Sequence, residues 1–289
     1  VTVGPCRTKR GKEMLKTVMD MMDFITVRDQ DSVDELREAK VENPNVLITN
    51  DCALNTKPSS KERIAKIRKE IGLPETGEIL ALNVNPYFDS WAGLSGKKLT
   101  REVFINTYAS AVTKAVKNID ATLMFVSTQH LDETLTKDIM SKINTHHKKV
   151  YFSNRVYSPQ DIRGLMAQVS LLFAMRLHCL ILTSAGHTPI ISLNYLPKVE
   201  TYLKSLDLKD YSLDFSNFSE ENIAKHIEKG WQDRQQIREK LNAKIPAMKF
   251  EAFKAAILVD SLSRGFSMDE EIARLKNTKP ESSLLQVNS

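Results

Sequence analysis

Short apolar runs that are typical of β-strands alternate with amphipathic segments that are typical of helices along most of the chain. The runs VTVG, FITV and NVLIT open the sequence, and ILALNVN and TLMFVST continue the series. A helix between two strands carries the chain back across the sheet, so that the second strand enters in the same direction as the first. The alternation therefore predicts an α/β protein built on parallel sheets.

A composition change near residue 75 divides this pattern. The charged amphipathic stretch SSKERIAKIRKEIG ends in LPETGE, whose proline and glycine favour a break between domains. The expected units are a partial N-terminal α/β domain over residues 1–74, a C-terminal α/β domain over residues 75–264 and a helical or disordered tail over residues 265–289.

Composition narrows the class of protein. With 42% apolar residues, a chain of 289 residues can bury a substantial core. No apolar run approaches the roughly 20 residues that span a bilayer. Cys6, Cys52 and Cys179 are too few and too scattered for a disulfide framework or a metal knuckle. The net charge of +5 is spread along the chain, which gives no sign of a nucleic-acid partner. We expect a cytoplasmic protein without a required metal.

The segment AMRLHCLILTSAGHTPIISLNYLPK carries the strongest candidate site. Arg176 and His178 directly follow the predicted strand LLFA, at the start of the next helix. A helix of about ten residues carries the chain ~15 Å away, and the next strand returns it by a similar distance, so Lys198 comes back to the same edge. Ligands of open parallel sheets bind at this edge, and a helix N-terminus there favours anions.

Basic residues also follow the predicted strands of the first part. Arg28 comes after FITV, and Arg7 comes after VGPC. We expect Arg28 to face Arg176, His178 and Lys198 across a cleft between the two domains, and Arg7 could join them. The alternative is that these side chains only cap helices or form salt bridges at strand-to-helix turns.

Four segments of the sequence carry a resemblance to a known family. They are VGPCRTKRG, FITVRDQDSVDELRE, VLITND and MRLHCLILTSAGHTPIISLNYLPKV, and in this order and with similar spacing they resemble the polysaccharide pyruvyl transferases. The resemblance covers most of residues 1–206. It implies two Rossmann-like domains of the glycosyltransferase-B-like (GT-B-like) type with the active site between them. It also implies transfer of a pyruvyl ketal from phosphoenolpyruvate to two sugar hydroxyls of a cell-surface polysaccharide or its precursor, without a required cofactor.

The chain departs from the family pattern in two ways. Family members commonly have Asp before the Pro-Lys pair, where this chain has Leu196, so a carboxylate that could orient Lys198 is absent. Members also carry a further strand-turn-helix before the segment that matches VTVGP. We therefore expect a first domain that is truncated at its N-terminus and that exposes an apolar strand edge or sheet face within residues 1–50.

The donor that the resemblance implies assigns a role to each basic residue. Phosphoenolpyruvate has a phosphate, a carboxylate and an enol carbon that must be protonated before a hydroxyl attacks its neighbour. Arg176 and Arg28 can hold the two anions bidentately. Lys198 can place a compact charge on the phosphate or the carboxylate. His178 can deliver the proton or take one from the sugar hydroxyl, and the sequence leaves both roles open.

Weaker candidates could contact the sugar acceptor. They follow two predicted strand ends and are Asn85, Tyr87, Asp89, Trp91 and His130. Trp91 would offer a stacking face, although packing within a loop or the core explains these residues about as well. Cys179 adjoins His178, but neighbours on a helix point about 100° apart, which favours a buried small residue over a nucleophile.

Two other functions remain open at this stage. One is a nucleotide-sugar glycosyltransferase of the same architecture, because a fold does not decide a function. The other is a non-catalytic remnant that only binds a glycan. The expected partners are phosphoenolpyruvate and a sugar or polysaccharide precursor, with room for peripheral contact with a membrane surface, and the oligomeric state is left open.

Overall fold

The computed structural model describes residues 3–86 and 99–279. Its strands are β1 (Ile25–Val27), β2 (Val46–Ile48), β3 (Ile79–Asn83), β4 (Thr122–Ser127), β5 (Lys149–Ser153), β6 (Leu171–Ala174), β7 (Ile190–Asn194) and β8 (Ser212–Asp214). Its helices are α1 (Lys9–Asp20), α2 (Gln30–Glu38), α3 (Lys61–Glu70), α4 (Arg101–Ala115), α5 (Glu133–Lys142), α6 (Pro159–Met166), α7 (Leu177–Ser184), α8 (Pro197–Ser205), α9 (Glu220–Gln232), α10 (Arg234–Ser263) and α11 (Met268–Asn277). The predicted α/β pattern is confirmed.

The described strands form two parallel sheets. β1 pairs with β2 in one sheet, and the other has six strands in the order β5-β4-β3-β6-β7-β8. In the larger sheet Leu82 of β3 lies opposite Phe125 of β4 on one side and Phe173 of β6 on the other. The chain therefore starts at β3, winds outward to β5 and returns across the centre to β6, which is a doubly wound arrangement.

The polypeptide divides into two units at positions other than residue 75. One unit contains the residues up to Asn55 and those from Pro246 onward, and the other contains Thr56–Ile245. Helix α3 belongs with the larger sheet because it packs on α6. A Cβ on Gly164 of α6 would lie 2.6 Å from Ile64 Cδ1, and Arg63 pairs with Asp161 at 3.1 Å. The amphipathic pattern of α3 does not reveal which sheet it covers.

The C-terminal helices complete the first unit. Leu258 of α10 and three residues of α11 (Met268, Ile272 and Leu275) pack into one cluster with Leu47 of β2. Part of the expected tail is therefore helical and buried, because α11 presents an apolar face at helical spacing. Residues 280–289 lie outside the described part of the chain.

The first unit has exposed apolar side chains within residues 1–50, and the expected truncation of this domain stays a prediction. No residue of α1 is fully buried, although Leu15 and Met19 contact the small core beneath it. Met14 on this helix and Met21 at its C-cap are 61% and 78% exposed, and Ile48 of β2 is 43% exposed.

The second unit has a continuous core around the larger sheet. All residues of β3 and β6 are buried, as is typical of parallel strands covered on both faces. Tyr108 of α4 stacks on Phe173 of β6 with 5.6 Å between ring centroids. His226 of α9 meets the same Phe173 edge-on at 5.9 Å. None of the helices in the described part of the chain is long and apolar enough to cross a membrane.

Two buried tyrosines allow a matched test of hydrogen bonding in this core. The Tyr108 hydroxyl has no hydrogen-bond partner among the described residues, whereas the Tyr211 hydroxyl contacts Asp233 and Gln236 at 2.9 Å. We expect Tyr108→Phe to leave the free energy of unfolding unchanged or higher, because it removes an uncompensated buried hydroxyl. Tyr211→Phe should lower it by about 1.5 kcal/mol. Urea denaturation of both variants checks this, and a larger loss for Tyr108→Phe would contradict it.

His226 should make stability depend on pH. Burial lowers the pKa of His226 to about 4 from its ordinary value of 6.5. The unfolded chain therefore binds the proton more tightly, and the contribution of the neutral imidazole, on the order of 3 kcal/mol, is lost as the pH falls from about 6.5 to 4. We expect His226→Gln to flatten the free energy of unfolding over this range, and His146→Gln, at an exposed histidine, to leave it sloped. Equal slopes for both variants would show that His226 is not responsible.

Candidate functional site

The carboxyl ends of four paired strands form one edge of the larger sheet. β3 ends at Asn83, β4 at Ser127, β6 at Ala174 and β7 at Asn194. Because β3 lies between β4 and β6, and β7 follows β6, the segments after these strands emerge beside one another. This is the edge where the sequence predicts a ligand site.

Arg176 and His178 lie at this edge, at the start of a helix, as predicted. Arg176 is the N-cap residue of α7, and its side chain makes no capping hydrogen bond. His178 is the second residue of the helix, and its side chain is exposed, while Arg176 is half-buried. The first backbone N–H groups of α7 therefore point out of the same edge, where they favour negative charge.

Asn83 fixes the turn between β6 and α7. Its side-chain amide donates to the Val126 carbonyl at 2.9 Å, and its side-chain oxygen accepts from the Arg176 N–H at 3.0 Å. The Met175 N–H donates to the Asn83 carbonyl at 3.1 Å. The side chain of Asn83, which is fully buried, therefore links the turn after β6 to β4 across β3.

Asp132 holds the Arg176 side chain. The Arg176 Nε lies 3.2 and 3.1 Å from the two carboxylate oxygens, and Nη2 lies 2.5 Å from Oδ1. The Asp132 side chain is fully buried, and the Arg176 side chain is 11% exposed. The backbone carbonyl of Asp132 accepts from the Thr136 hydroxyl at 2.8 Å, and its N–H donates to the Gln129 carbonyl at 3.0 Å. The acceptor is therefore as firmly placed as the guanidinium.

Sequence reasoning missed Asp132. It singled out His130 in STQHLDE, which the structure places in the exposed first position of the short 3-10 helix His130–Asp132. A carboxylate five residues after the end of β4, in a chain with an arginine after another strand, is the signal that could have identified the pair.

Two effects act on the protonation of Asp132. Burial raises the pKa of the carboxyl, and the Arg176 guanidinium opposes that rise through its hydrogen bonds and its charge.

The bidentate contact commits the Nε edge of Arg176 to Asp132, so an anionic ligand would meet the opposite edge of the guanidinium. Because the pair is close to neutral, further positive charge must come from Lys198, from His178 when it is protonated and from the start of α7.

Lys198 returns to the same edge, as expected. It is the second residue of α8, which follows β7, and its side chain is exposed.

Tyr195 lies between β7 and α8 and is 8% exposed. Burial raises the pKa of the Tyr195 hydroxyl, and the charge of Arg176 and the neighbouring Asn85 side chain oppose that rise. The structure therefore brings Asn85, a predicted acceptor contact, to the edge that holds Arg176.

Cys179 faces the interior. It is fully buried, and burial raises the pKa of its thiol. A thiolate nucleophile is disfavoured there, and the expectation of a buried small residue is confirmed.

In the first unit, Arg28 lies after β1 and is held by acidic neighbours. Its Nη1 is 3.0 Å from Asp51, its Nε is 3.3 Å from Asp29, and its side chain is 13% exposed. Asp29 also caps α2 by accepting from the Ser32 N–H at 2.9 Å. Arg7 is exposed. That Arg28 faces Arg176, His178 and Lys198 stays a prediction.

Three weaker candidates, Tyr87, Asp89 and Trp91, lie outside the described residues.

Within residues 3–86 and 99–279, no group of three His, Cys, Asp or Glu side chains could hold a metal ion.

The buried Asp132–Arg176 pair should contribute more to stability than a surface pair. Asp132→Ala leaves the guanidinium largely buried without its counter-charge, and we expect it to lower the free energy of unfolding by about 3 kcal/mol. The matched control is Asp138→Ala, which removes an exposed partner of Arg101 and should cost less than about 1 kcal/mol. Adding Arg176→Leu to Asp132→Ala should recover part of the loss. Equal costs for the two aspartate variants in urea denaturation would rule out a structural role for the pair.

Comparison with solved structures shows the fold. Anabaena HepE, crystallised with UDP and glucose, superposes with a TM-score of 0.54 at 13% identity, over 89% of this chain and 68% of that chain. A protein named as a UDP-N-acetylglucosamine 2-epimerase of Listeria monocytogenes gives 0.57 at 12% identity, over 83% and 60%. A Rickettsia africae glycosyltransferase gives 0.54 at 13% identity, over 96% and 69%. The chain therefore has a GT-B-like fold of Rossmann-like units.

Comparison of sequences shows the family. A search of curated protein sequences gave no significant match. A sequence model of the polysaccharide pyruvyl transferases matches residues 1–197, a range that contains Arg28, Asp132, Arg176 and His178 and ends directly before Lys198. Since the match covers 197 of 289 residues and the resemblance rests on the strand-end segments that build the edge, the chain belongs to the polysaccharide pyruvyl transferase family of enzymes.

Proposed function

We propose that this protein transfers the pyruvyl group of phosphoenolpyruvate to two hydroxyls of a sugar, in a cell-surface polysaccharide or its precursor, as a ketal. The observation that carries the proposal is that three basic residues, Arg176, His178 and Lys198, lie with the start of α7 at one sheet edge, in a chain of this family. The chain spans 68%, 60% and 69% of the lengths of the three solved structures to which it is similar.

Phosphoenolpyruvate, the pyruvyl donor, is a small molecule with two anionic groups. The edge offers two kinds of group that can bind these anions. The outer edge of the Arg176 guanidinium can hydrogen-bond one oxygen pair, while Lys198 and the α7 N–H groups supply charge for the second anion. Asp132 fixes the direction in which Arg176 points, so little conformational freedom is lost when the donor binds.

The chemistry needs one proton at carbon and two bonds to oxygen. The methylene carbon of phosphoenolpyruvate takes a proton, and the first sugar hydroxyl attacks the neighbouring carbon and loses its own proton. The second hydroxyl then attacks that carbon as its bond to the phosphate oxygen breaks, and its proton goes to the departing phosphate, which gives the ketal and inorganic phosphate. His178 is exposed at the edge and can move one of these protons, a step worth ~10²–10⁴-fold in rate.

No step in this sequence uses a redox or metal cofactor, because the enol phosphate is already activated. We also propose a cytoplasmic reaction on a sugar precursor, in keeping with three free cysteines, two of which are accessible. Nucleic acid has no part in it.

Two variants separate binding from proton transfer. Arg176→Ala should weaken phosphoenolpyruvate binding about tenfold or more, since each charge-assisted hydrogen bond contributes ~1.5–3 kcal/mol. His178→Ala should leave donor binding nearly intact and lower single-turnover ketal formation ~10²-fold or more. Calorimetry with phosphoenolpyruvate and a single-turnover assay on a sugar acceptor measure the two effects, with thermal unfolding to confirm that each variant is folded.

His146→Ala is the control, because this exposed histidine precedes β5 at the opposite edge of the sheet. It should bind and turn over like the parent. A His178→Ala variant that turns over at the parent rate would exclude proton transfer by His178. Turnover of a nucleotide sugar in place of phosphoenolpyruvate would overturn the proposed reaction.

A further inference from the structure

A groove in the first unit is not used by the proposed reaction. It has a volume of about 660 Å³ and runs between α2, β2 and the C-terminal helices α10 and α11. All of its lining residues belong to this one unit. The volume lies within the range of about 300–1,000 Å³ that is usual for sites that bind small molecules.

One wall of the groove is apolar. Val33, Val41 and Val46 line it and are only half-buried, and Ile48 on β2 is 43% exposed. Leu36 and Leu47 also line the groove and are buried, in two separate core clusters of the unit. Because partly exposed aliphatic side chains in a concave surface are unfavourable in water, a hydrocarbon chain would bind here by removing them from solvent.

The opposite side of the groove is basic. Three lysines of the C-terminal segment line it, namely Lys254, Lys276 and Lys279, against one carboxylate, Glu251, and Arg37 of α2 adds a fourth cationic side chain from the other side of the groove. Glu251 is already paired with Lys254 at 2.8 Å. Arg37 contacts Asp34 at 3.2 Å, but both side chains are more than half exposed, so the pair is weak. The groove is therefore positively charged beside its apolar wall.

Helix capping explains part of this charge and leaves the rest unexplained. Lys254 is buried and donates to the Thr278 carbonyl at 3.1 Å, and Lys276 lies in the last turn of α11, where cations favour the helix dipole. Lys279 lies beyond the end of that helix, and Arg37 belongs to α2 on the other side of the groove. Arg37 lies in the last turn of α2, so the dipole of that helix explains its charge in the same way, whereas Lys279 lies outside the described helices.

We propose that this groove binds a single-chain anionic amphiphile, with its hydrocarbon chain against Val33, Val41, Val46 and Ile48 and its phosphate beside Lys276, Lys279 and Arg37. Charge complementarity selects the anionic head, and the apolar wall selects the chain. The groove is concave and is lined from α2, β2 and the C-terminal segment, so it suits one chain taken into it. The proposal does not depend on the proposed transferase reaction.

Decyl phosphate is the probe, titrated below its micelle-forming concentration and followed by calorimetry on the whole protein. We expect it to bind at least tenfold more tightly than decanol and than inorganic phosphate. Decanol has no negative charge for the basic side chains, and inorganic phosphate has no hydrocarbon chain for the apolar wall. Lys276→Glu with Lys279→Glu should weaken decyl phosphate at least tenfold and leave decanol unchanged. Ile48→Asp should weaken both.

The matched control is Lys117→Glu with Lys209→Glu, which makes the same change of charge at exposed lysines of the second unit. It should bind decyl phosphate like the parent, and thermal unfolding shows that each variant is folded. Inorganic phosphate binding as tightly as decyl phosphate, or unchanged affinity in the groove variants, would overturn the proposal. So would binding to phosphatidylglycerol vesicles without any binding of the monomeric probe, since that result indicates a membrane-facing surface.

Discussion

The shared direction of the paired strands is the constraint on which the candidate site depends. Backbone hydrogen bonds join β3 to β4 on one side and to β6 on the other, so the three strands end at one edge. Asn83, Asp132 and Arg176 are far apart in sequence and meet there. Buried backbone N–H and C=O groups must be hydrogen-bonded. This requirement outweighs the conformational preference of any side chain at the edge. The geometry of the site therefore follows from the backbone ladder.

Carboxylates hold the arginines that follow strands in both units. Asp132 grips Arg176, and Asp29 with Asp51 grips Arg28. Such pairs cancel part of the positive charge, which weakens the attraction for an anion at a distance. They also fix the direction of a long side chain that would otherwise lose conformational entropy on binding. For the proposed anionic donor, the edge would thus favour precise hydrogen bonding over a strong field, with Lys198 and the start of α7 supplying the remaining charge.

The grouping of elements in space differs from their order in the chain. Helix α10 contributes Ile237 and Leu241 to the buried part of the second unit and Leu258 to the cluster around Leu47 in the first. Pro246 lies within this helix, where the chain passes from one unit to the other. The groove beside β2 exists because helices from the end of the chain cover part of a sheet formed near its start. A pocket of this kind has no local signature in the sequence.

The sequence by itself determined the α/β rhythm, the parallel sheets and the strand-end positions of Arg28, Arg176, His178 and Lys198, because hydrophobic periodicity and capping are local properties. It also carried the family, through the segment around Arg176. Only the tertiary structure decided that Asp132 holds Arg176, that α3 packs on α6 and that α11 covers β2. Each of these depends on contacts between segments distant in sequence, and many helices would satisfy the same amphipathic pattern. Burial, which makes Asp132 an effective partner, exists only once the sheet has formed.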